Sequence, residues 1–345
     1  MKIGSLDLNN TNVTVIAEAG VNHNGDMNIA KKLIESAANS GAKIIKFQTY
    51  KAEKLTTKNA PKFWDWKDDH ASNQFESYST LDSFGKAEYT SLKLMCDDNG
   101  IEFMSTPFDF EAVDMLFSLG VRAFKIASCD ITNLEFIHYI SKTNLPIFLS
   151  TGASEIDEIK TALEFLGDSE VCIMHCTLCY PTEIKDSNLL AILDLKSHFP
   201  EKLIGLSDHT RGTLVASTSV ALGVRVIEKH FTIDNQLLLS PDHAFANNAT
   251  ELAELVNNSN QVLLSLGEPG KKVLECEIPA RKYARRSVVA ERDIALGEVF
   301  TRQNISIKRP GTGLAPISML QILGRTASRQ ILKDELLDWN SIESH

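Results

Sequence analysis

Eight short apolar runs recur along the first two thirds of the chain, and each gives way to polar residues and then to a segment with helical spacing. In order they are VTVIAEAG, AKIIKFQT, IEFMSTPF, AFKIASCD, PIFLSTGA, VCIMHCTL, LIGLSDHT and RVIEKHFT. Nearly continuous Val, Ile, Leu and Phe over about four to six residues indicates a strand buried on both faces, as in a parallel sheet. Eight alternations of strand and helix predict a (β/α)8 TIM barrel of about 250 residues that ends near Gly267. An open doubly wound sheet is the alternative architecture.

The segments between the runs carry helix signals. In GDMNIAKKLIESAANSG, Asp26 is placed to cap a helix that stops at Gly41. In SEIDEIKTALEFLG, Ser154 and Asp157 have the spacing of a capping box, and Gly167 follows as a stop. These signals support helices between the strands.

The pattern changes after the predicted barrel. Residues 268–282 have the composition of a charged linker, and from residue 283 to residue 345 short β-like pieces and glycine turns replace the helix formers. The sequence therefore predicts a barrel domain at 1–267, the linker, and a small β-rich domain at 283–345.

One connection within the barrel is unusually long. Roughly thirty residues separate KFQTYKA from AEYTSLKLMCDDNG, and they include Trp64, Trp66 and Phe75. Loops of this length in a compact domain are usually functional lids or disordered segments. The aromatic residues favour an ordered lid, and a surface loop that packs on itself is the alternative.

Composition excludes several classes of partner. The 345 residues are 43% hydrophobic and 23% charged, which is typical of a globular protein. The net charge of −10 argues against nucleic acid or an anionic membrane, because those surfaces attract clustered Lys and Arg. The sequence shows no signal-like start and no run of ~18 apolar residues, so we expect a cytoplasmic protein. Its six cysteines are then expected to be free thiols.

Polar side chains end every predicted strand, where a parallel barrel gathers its catalytic groups at one mouth. They are Glu18, Lys46, Gln48, Ser105, Thr106, Lys125, Ser128, Ser150, Thr151, His175, Thr177, Ser207, His209, Glu228 and His230. An ordinary apolar core would not end every strand in this way. The pattern predicts an active site at the mouth.

Residue chemistry suggests roles for some of these groups. His209 and His230 end adjacent predicted strands, which lie ~4.8 Å apart, so the two imidazoles can share one divalent metal acting as a Lewis acid. Lys46 and Lys125, with nearby hydroxyls, suit a phosphate or carboxylate. Glu18 is a candidate acid or base. The alternatives are structural histidines, and lysines that pair with barrel glutamates such as Glu18.

The sequence resembles the sialic acid synthases. The matching motifs are IAEAGVNHNG, KFQT, STPFD, FKIAS, LSTG, HCT followed by YPT, GLSDHT, ALGVRVIEKHFT, SPDH, and SVVA through IKRPGTG, in order along essentially the whole chain. That family of transferases condenses phosphoenolpyruvate with an N-acetylated hexosamine. The resemblance implies a TIM barrel followed by a C-terminal antifreeze-like (SAF) domain. It also implies a domain-swapped homodimer in which the small domain covers the partner's barrel mouth.

The resemblance further implies residue roles. His209 and His230 match ligands of a divalent metal, with Mn²⁺ expected and Mg²⁺ or Co²⁺ as alternatives, and Glu18 matches the catalytic carboxylate. The phosphoenolpyruvate site is matched by Lys46, Thr106, Lys125, Ser128, Ser150 and Tyr180, with Ser207 beside them. The sugar site is matched by Gln48, Asp242 and Arg309, the last from the partner chain.

The resemblance leaves the sugar open. The main prediction is an N-acetylneuraminate synthase that uses N-acetylmannosamine and releases phosphate by C–O cleavage. The alternative is a legionaminate or pseudaminate synthase that uses a diacetamido-dideoxyhexose. Leu178, Cys129 and Asp130 depart from the pattern of many relatives near the expected sugar pocket.

Two other classes of protein fit the sequence less well. A metallohydrolase of the amidohydrolase kind typically has an H-x-H motif at the first strand, which AEAGVNHNG lacks. A non-catalytic sugar-binding protein built on the tail would have no use for a metal Lewis acid.

Overall fold

The computed structural model describes residues 1–8, 12–64 and 69–343, so Trp66 of the long connection lies outside the described residues. The chain divides into two compact units, Met1–Gly267 and Glu268–His345. Among the described residues, no helix combines the length and apolar character needed to cross a membrane. All six cysteines are free thiols.

The eight apolar runs form one sheet of eight parallel strands, which confirms the predicted barrel. The strands are β1 (Thr14–Gly20), β2 (Ile44–Thr49), β3 (Glu102–Pro107), β4 (Phe124–Ile126), β5 (Ile147–Ser150), β6 (Val171–Cys176), β7 (Leu203–Asp208) and β8 (Val226–His230). Their hydrogen-bonded order is β3-β2-β1-β8-β7-β6-β5-β4. Because β3 and β4 also lie side by side, the sheet is nearly closed and the open doubly wound alternative is wrong.

A helix follows each strand on the outside of the barrel. The helices are α1 (Met27–Asn39), α2 (Lys86–Asp98), α3 (Phe110–Ser118), α4 (Leu134–Ser141), α5 (Ile156–Leu166), α6 (Ala191–His198), α7 (Leu214–Ser219) and α8 (Ala249–Ser265). Asp26 caps α1 as predicted, since its Oδ1 accepts a hydrogen bond from the backbone N of Asn28 at 2.6 Å. The local sequence signal is therefore sufficient at this helix start.

The predicted capping box at the start of α5 is wrong by one residue. Glu155, not Ser154, precedes the first helical residue, and its backbone N donates to Oε2 of Glu158 at 2.8 Å. The Ser154 hydroxyl instead donates to the carbonyl of Gly152 at 3.2 Å. Because this hydrogen bond engages Ser154 in the preceding turn, the reciprocal bond comes from Glu158 rather than from Asp157.

Strand side chains alternate between two packed layers, because successive residues of a strand point to opposite faces. Outward residues such as Ile45 and Ile173 pack with the helices in one continuous apolar core. Inward residues such as Phe148 fill the lower part of the barrel. A hairpin of Lys2–Ile3 and Leu6–Asp7 contributes apolar side chains to this packed barrel interior. Among the described residues, the barrel is therefore packed at its amino-terminal end.

The second unit has its own small core. Strands β9 (Ser287–Ala290) and β10 (Ile305–Lys308) pair antiparallel, and short helices span Ile278–Tyr283 and Met319–Ile322. Its packed apolar cluster consists of Val288, Ala290, Ile294, Phe300, Ile305, Leu314, Ile322, Ala327, Ile331, Leu337 and Ile342. This unit contains the predicted sugar-site residue Arg309, which is exposed.

Candidate active site

A cavity of about 420 Å³ opens at the carboxyl ends of the barrel strands. It is lined by the predicted site residues of the first unit, namely Glu18, Lys46, Gln48, Thr106, Lys125, Ser128, Ser150, Tyr180, Ser207, His209, His230 and Asp242. Arg309 belongs to the second unit. Four of the polar strand-end residues do not line this cavity, namely Ser105, Thr151, His175 and Thr177. The predicted roles of these residues remain predictions.

The cavity begins where the packed interior of the barrel ends, two residues further along each strand. On seven strands an inward residue packs in the barrel interior and the next inward residue along the chain lines the cavity; at β4 the interior residue, Ala123, directly precedes the strand. In strand order these pairs are Ile16 and Glu18, Ile44 and Lys46, Met104 and Thr106, Ala123 and Lys125, Phe148 and Ser150, Met174 and Cys176, Gly205 and Ser207, and Val226 and Glu228. The floor of the cavity is therefore a ring of mostly polar groups on an apolar base.

Two lysines and two glutamates form a buried network on this floor, which we call the inner cluster (Glu18, Lys46, Lys125 and Glu228). Nζ of Lys46 lies 2.7 Å from Oε2 of Glu18 and 3.8 Å from Oε2 of Glu228. Nζ of Lys125 lies 3.3 Å from Oε1 of Glu228. The salt bridge considered as the alternative role of Glu18 is therefore present, and it does not exclude proton transfer.

The pKa values of the two carboxylates in the inner cluster are shifted in opposite directions. Burial raises the pKa of Glu18 despite the opposing charge of Lys46, and the carboxylate of Glu228 raises it further. Burial alone would raise the pKa of Glu228, but Lys125 and Lys46, with a hydrogen bond from Ser207, lower it to about 2. Glu228 therefore stays anionic, and Glu18 is the carboxylate that accepts a proton more readily.

Several polar atoms around the inner cluster suit an anionic ligand. Thr106 Oγ1 accepts a hydrogen bond from Nζ of Lys46 at 2.9 Å, and Ser128 Oγ accepts one from the backbone N of Gly152 at 2.9 Å. The buried hydroxyl of Ser150 has no hydrogen-bond partner within the described part of the chain. Buried polar groups are ordinarily satisfied, so an unpaired hydroxyl on a cavity wall is typical of a ligand site.

The two predicted metal ligands face each other across adjacent strands, with ring centroids 5.4 Å apart. Nδ1 of His209 lies 2.8 Å from the carbonyl oxygen of Thr177, to which it can only donate. Nδ1 of His230 lies 3.0 Å from Oδ2 of Asp242. Histidine ligands of metals usually donate one ring N–H to a carbonyl or carboxylate and bind through the other nitrogen.

This donor set fits a divalent ion that is held by two imidazoles. Within residues 12–64 and 69–343, no group of three or more His, Cys, Asp or Glu side chains could hold a metal ion without other ligands. Water or substrate oxygens would therefore complete the coordination.

The long connection after β2 forms part of the cavity wall. Phe63, Trp64, Tyr78 and Leu81 line the cavity, and the indole N–H of Trp64 donates to Oδ2 of Asp69 at 2.8 Å. This ordered part is thus more than a loop packed on itself. The residues that depart from the family pattern also line the cavity, namely Leu178, Cys129 and Asp130.

Glu228 is a site residue to which the sequence analysis assigned no role. It contacts both lysines that were assigned to phosphoenolpyruvate, and it accepts a hydrogen bond from Ser207 Oγ at 2.9 Å. The signal was available, because Glu228 lies two residues before His230 in VIEKHF and must share its face of the strand.

Comparison with known proteins gives consistent matches. Residues 33–271 match the NeuB family and residues 285–343 match the SAF domain. An N,N'-diacetyllegionaminic acid synthase of Campylobacter jejuni is 40% identical over 333 residues, which cover 94% of this chain and 98% of that protein. A synthase of the same name from Legionella pneumophila is 37% identical over 339 residues, which cover 96% of this chain and 94% of that protein. A crystal structure of N-acetylneuraminic acid (sialic acid) synthetase from Leptospira borgpetersenii has a TM-score of 0.73 and 34% identity, covering 80% of this chain and 93% of that one.

Proposed function

Since the chain belongs to the NeuB family and carries a SAF domain, we propose that it condenses phosphoenolpyruvate with an N-acetylated hexosamine to form a nine-carbon 2-keto acid and phosphate. It is a nonulosonate synthase, and hence a transferase. The observation that carries the proposal is the inner cluster, which places two buried ammonium groups next to two carboxylates on the floor of the cavity.

In this proposal the lysines and hydroxyls bind and orient phosphoenolpyruvate. Lys46 and Lys125 supply positive charge to the phosphate and carboxylate, and the unpaired hydroxyl of Ser150 supplies a neutral donor. Fixing phosphoenolpyruvate near the aldehyde of the open-chain sugar removes an entropic cost that can reach ~7 to 11 kcal/mol. The same residues exclude bulk water, since all three are buried.

The bond changes take both protons from one water molecule, because its oxygen becomes the ketone oxygen, and deliver one to the sugar oxygen and one to the departing phosphate. The methylene carbon (C3) of phosphoenolpyruvate attacks the aldehyde carbon, water adds to C2, which bears the phosphate, and the bond from C2 to the bridging oxygen breaks so that phosphate leaves with that oxygen. We assign the proton movement to Glu18, because its raised pKa lets it take up and return a proton. A divalent ion held by His209 and His230, Mn²⁺ being our proposal ahead of Mg²⁺ or Co²⁺, would supply Lewis acidity toward the aldehyde oxygen.

Two acceptor sugars are proposed. N-acetylmannosamine is the acceptor predicted from the sequence, which would make the product N-acetylneuraminate. A diacetamido-dideoxyhexose is supported by the two relatives named as legionaminic acid synthases. It is also supported by the apolar wall, because Phe63, Leu81 and Leu178 suit a deoxy carbon and a second acetyl methyl better than extra hydroxyls.

An acceptor panel tests this function. Purified protein with Mn²⁺ and phosphoenolpyruvate carrying ¹⁸O in the bridging position is mixed with each acceptor, and released phosphate and product mass are measured. We expect ¹⁸O in the phosphate and one acceptor preferred by at least about tenfold in kcat/KM. Lys46→Met protein serves as the matched inactive control. Absence of phosphate release with every acceptor would refute the proposed function.

We further propose a cytoplasmic homodimer in which Arg309 of one protomer serves the sugar site of its partner. Arg309→Ala should then raise the KM for the sugar while leaving Mn²⁺ affinity within about twofold, and the exposed Arg302→Ala in the same unit is the control. Mixing inactive Lys46→Met and Arg309→Ala proteins should restore activity, since a mixed dimer contains one intact site. No restoration after subunit exchange would contradict an action of Arg309 across the dimer.

A further inference from the structure

Two loops at the barrel mouth are joined by polar side chains that the proposed reaction does not use, and all of these are buried except the half-buried Asn24. One loop follows β1 and the other runs from β8 to α8. We call the joining residues the clasp, and they are Asn22, Asn24, Thr232, Ser240 and His243. Of the clasp, only Ser240 lines the described cavity. A polar network at this position requires a physical reason, because burying polar groups costs stability unless each is paired.

The first half of the clasp is centred on Asn22, which is fully buried. Its Nδ2 donates to the carbonyl of Phe231 at 2.8 Å, and its Oδ1 accepts a hydrogen bond from the hydroxyl of Ser240 at 2.6 Å. Both ends of the amide are therefore engaged, which fixes its orientation. Ser240 is held two residues before Asp242.

The second half of the clasp is centred on His243. Asn24 donates through Nδ2 to the carbonyl of Leu238 at 2.9 Å, so its Oδ1 is an acceptor, and Nε2 of His243 must be the donor at 3.1 Å. Nδ1 of His243 then accepts from the hydroxyl of Thr232 at 2.7 Å. Burial lowers the pKa of His243 to about 4, which keeps the ring neutral as this pattern requires. His243 is held one residue after Asp242.

The clasp thus fixes the chain on both sides of Asp242, whose side chain faces the other way. Oδ2 of Asp242 lies 3.0 Å from Nδ1 of His230. The contact is an ion-pair approach, since Nδ1 of His230 makes no hydrogen bond among the described residues. A carboxylate this close favours a proton on Nδ1 and thereby presents Nε2.

We propose that Asn22, Ser240 and His243 are positioning residues that hold Asp242 against His230. They act through Asp242 and do not touch the reacting atoms. The proposal deepens the proposed function, because the catalytic value of the clasp rests on His230 being a metal ligand. Its structural content, a fixed tautomer of His230, does not depend on metal or substrate. A site held to within about 0.5 Å requires such a supporting shell.

The first test measures the His230 ring in metal-free protein at pH 8. Long-range ¹H–¹⁵N spectra of protein with labelled histidine report the tautomer of each ring, and His230→Gln identifies the signal by its loss. We expect the Nδ1–H tautomer in the wild type and a mixture of tautomers in Ser240→Ala. Ser105→Ala is the matched control, because Ser105 is equally buried and its hydroxyl bonds Thr49 and Phe47 outside the cavity. An unchanged His230 signal in Ser240→Ala would overturn the proposal.

The second test separates positioning from simple anchoring of the loops. We expect Ser240→Ala to lower Mn²⁺ affinity and the kcat/KM for the sugar by about tenfold each, with the KM for phosphoenolpyruvate within about twofold. Asn22→Ala should have a similar effect, and the double variant should add little, because both act through one hydrogen bond. Equal loss of all parameters, in parallel with a lower unfolding midpoint, would indicate anchoring and count against positioning.

The two tests distinguish this inference from the proposed function. If the wild type releases no phosphate with any acceptor and Ser240→Ala still changes the His230 tautomer, the function fails and the clasp stands. If the wild type is active and the His230 ring and kinetics are unaffected by Ser240→Ala, the clasp fails and the function stands. Should Asn22→Ala not fold, Ser240→Ala alone decides the outcome.

Discussion

The barrel contains two buried groups of lysine and carboxylate that differ in which face of the sheet they occupy. The inner cluster faces the cavity, whereas Asp208 and Lys229, here called the outer pair, point the other way. The outer pair is neighbouring in register on β7 and β8, with Nζ of Lys229 at 2.7 Å from Oδ2 of Asp208. Each of its residues lies between two residues that face the cavity, so the alternation of the strands alone separates the two groups.

The difference lies in how completely the charges are satisfied. Both oxygens of Asp208 accept hydrogen bonds from Thr210, and Lys229 also donates to the carbonyl of Thr210. In the inner cluster, by contrast, Oε2 of Glu228 has no hydrogen-bond partner in the described ranges. A saturated pair can only stabilise the fold, while an unsaturated one retains capacity for a ligand. Both groups are buried, so a ligand site differs from a structural ion pair in having polar atoms without hydrogen-bond partners.

The largest expected effect comes from breaking the outer pair. Lys229→Met leaves Asp208 buried without its cation, so the free energy of unfolding should fall by about 3–5 kcal/mol. Denaturation in urea measures this loss, and Lys229→Met with Asp208→Asn should recover part of it by removing the uncompensated charge. The folded fraction should keep activity within a few fold. Unchanged stability with lost activity would erase the distinction between the two groups.

The next effect comes from the inner cluster and should appear mainly in activity. Lys125→Met removes a buried ammonium that we assign to the phosphoenolpyruvate site, so kcat/KM for phosphoenolpyruvate should fall about 100-fold, equivalent to roughly 2–3 kcal/mol. The free energy of unfolding should change less than in Lys229→Met, because Glu228 keeps Lys46 and Ser207 as partners. Steady-state kinetics and urea denaturation check both parts. A larger effect on stability than on activity would make this cluster structural.

Acid should protonate two buried histidines near the mouth before it discharges Glu228 of the inner cluster. Burial lowers the pKa of both His23 and His243 to about 4, below the ordinary value of about 6.5, so their stabilising effect is present above pH 6.5 and lost as pH falls through 4. The free energy of unfolding should decrease over this window by up to about 3 kcal/mol per ring. Glu228, with a pKa of about 2, is still anionic there.

Urea denaturation between pH 4 and pH 7.5 measures this slope. His23→Phe is the matched variant, because the His23 ring stacks on Phe84 at 3.9 Å between centroids and a phenyl ring can keep that contact. It should remove about half of the slope. A flat profile in the wild type would show that neither ring is held neutral by burial.

The smallest effect is expected from an exposed ion pair, which serves as the reference for both buried groups. On the surface of α1, Nζ of Lys31 lies 3.7 Å from Oε1 of Glu35. Lys31→Ala should leave the unfolding midpoint and the kinetics unchanged within error, because solvent and salt screen such a pair. A clear loss of stability would mean that exposed ion pairs contribute to the free energy of unfolding as buried ones do.

Much of the fold follows from local patterns in the sequence. Strand identity, helix identity and the polar strand ends depend on spacings of two and about four residues, which the chain encodes directly. The start of α5 was misplaced by one residue, because the hydroxyl of Ser154 is engaged in the preceding turn rather than in the helix. Element ends depend on such small competitions, and sequence patterns resolve them poorly.

The sequence by itself determined the barrel and the inward position of Glu18, Lys46 and His230, since the period of a strand fixes which side chains share a face. Only the tertiary structure decided that Glu228 bridges two lysines and that Asp242 meets His230. These contacts join different strands, or a strand and a loop, so their distances depend on barrel closure and loop packing. Local spacing contains no information about either, because separations of a few ångströms between distant segments are set by the packing of the whole unit.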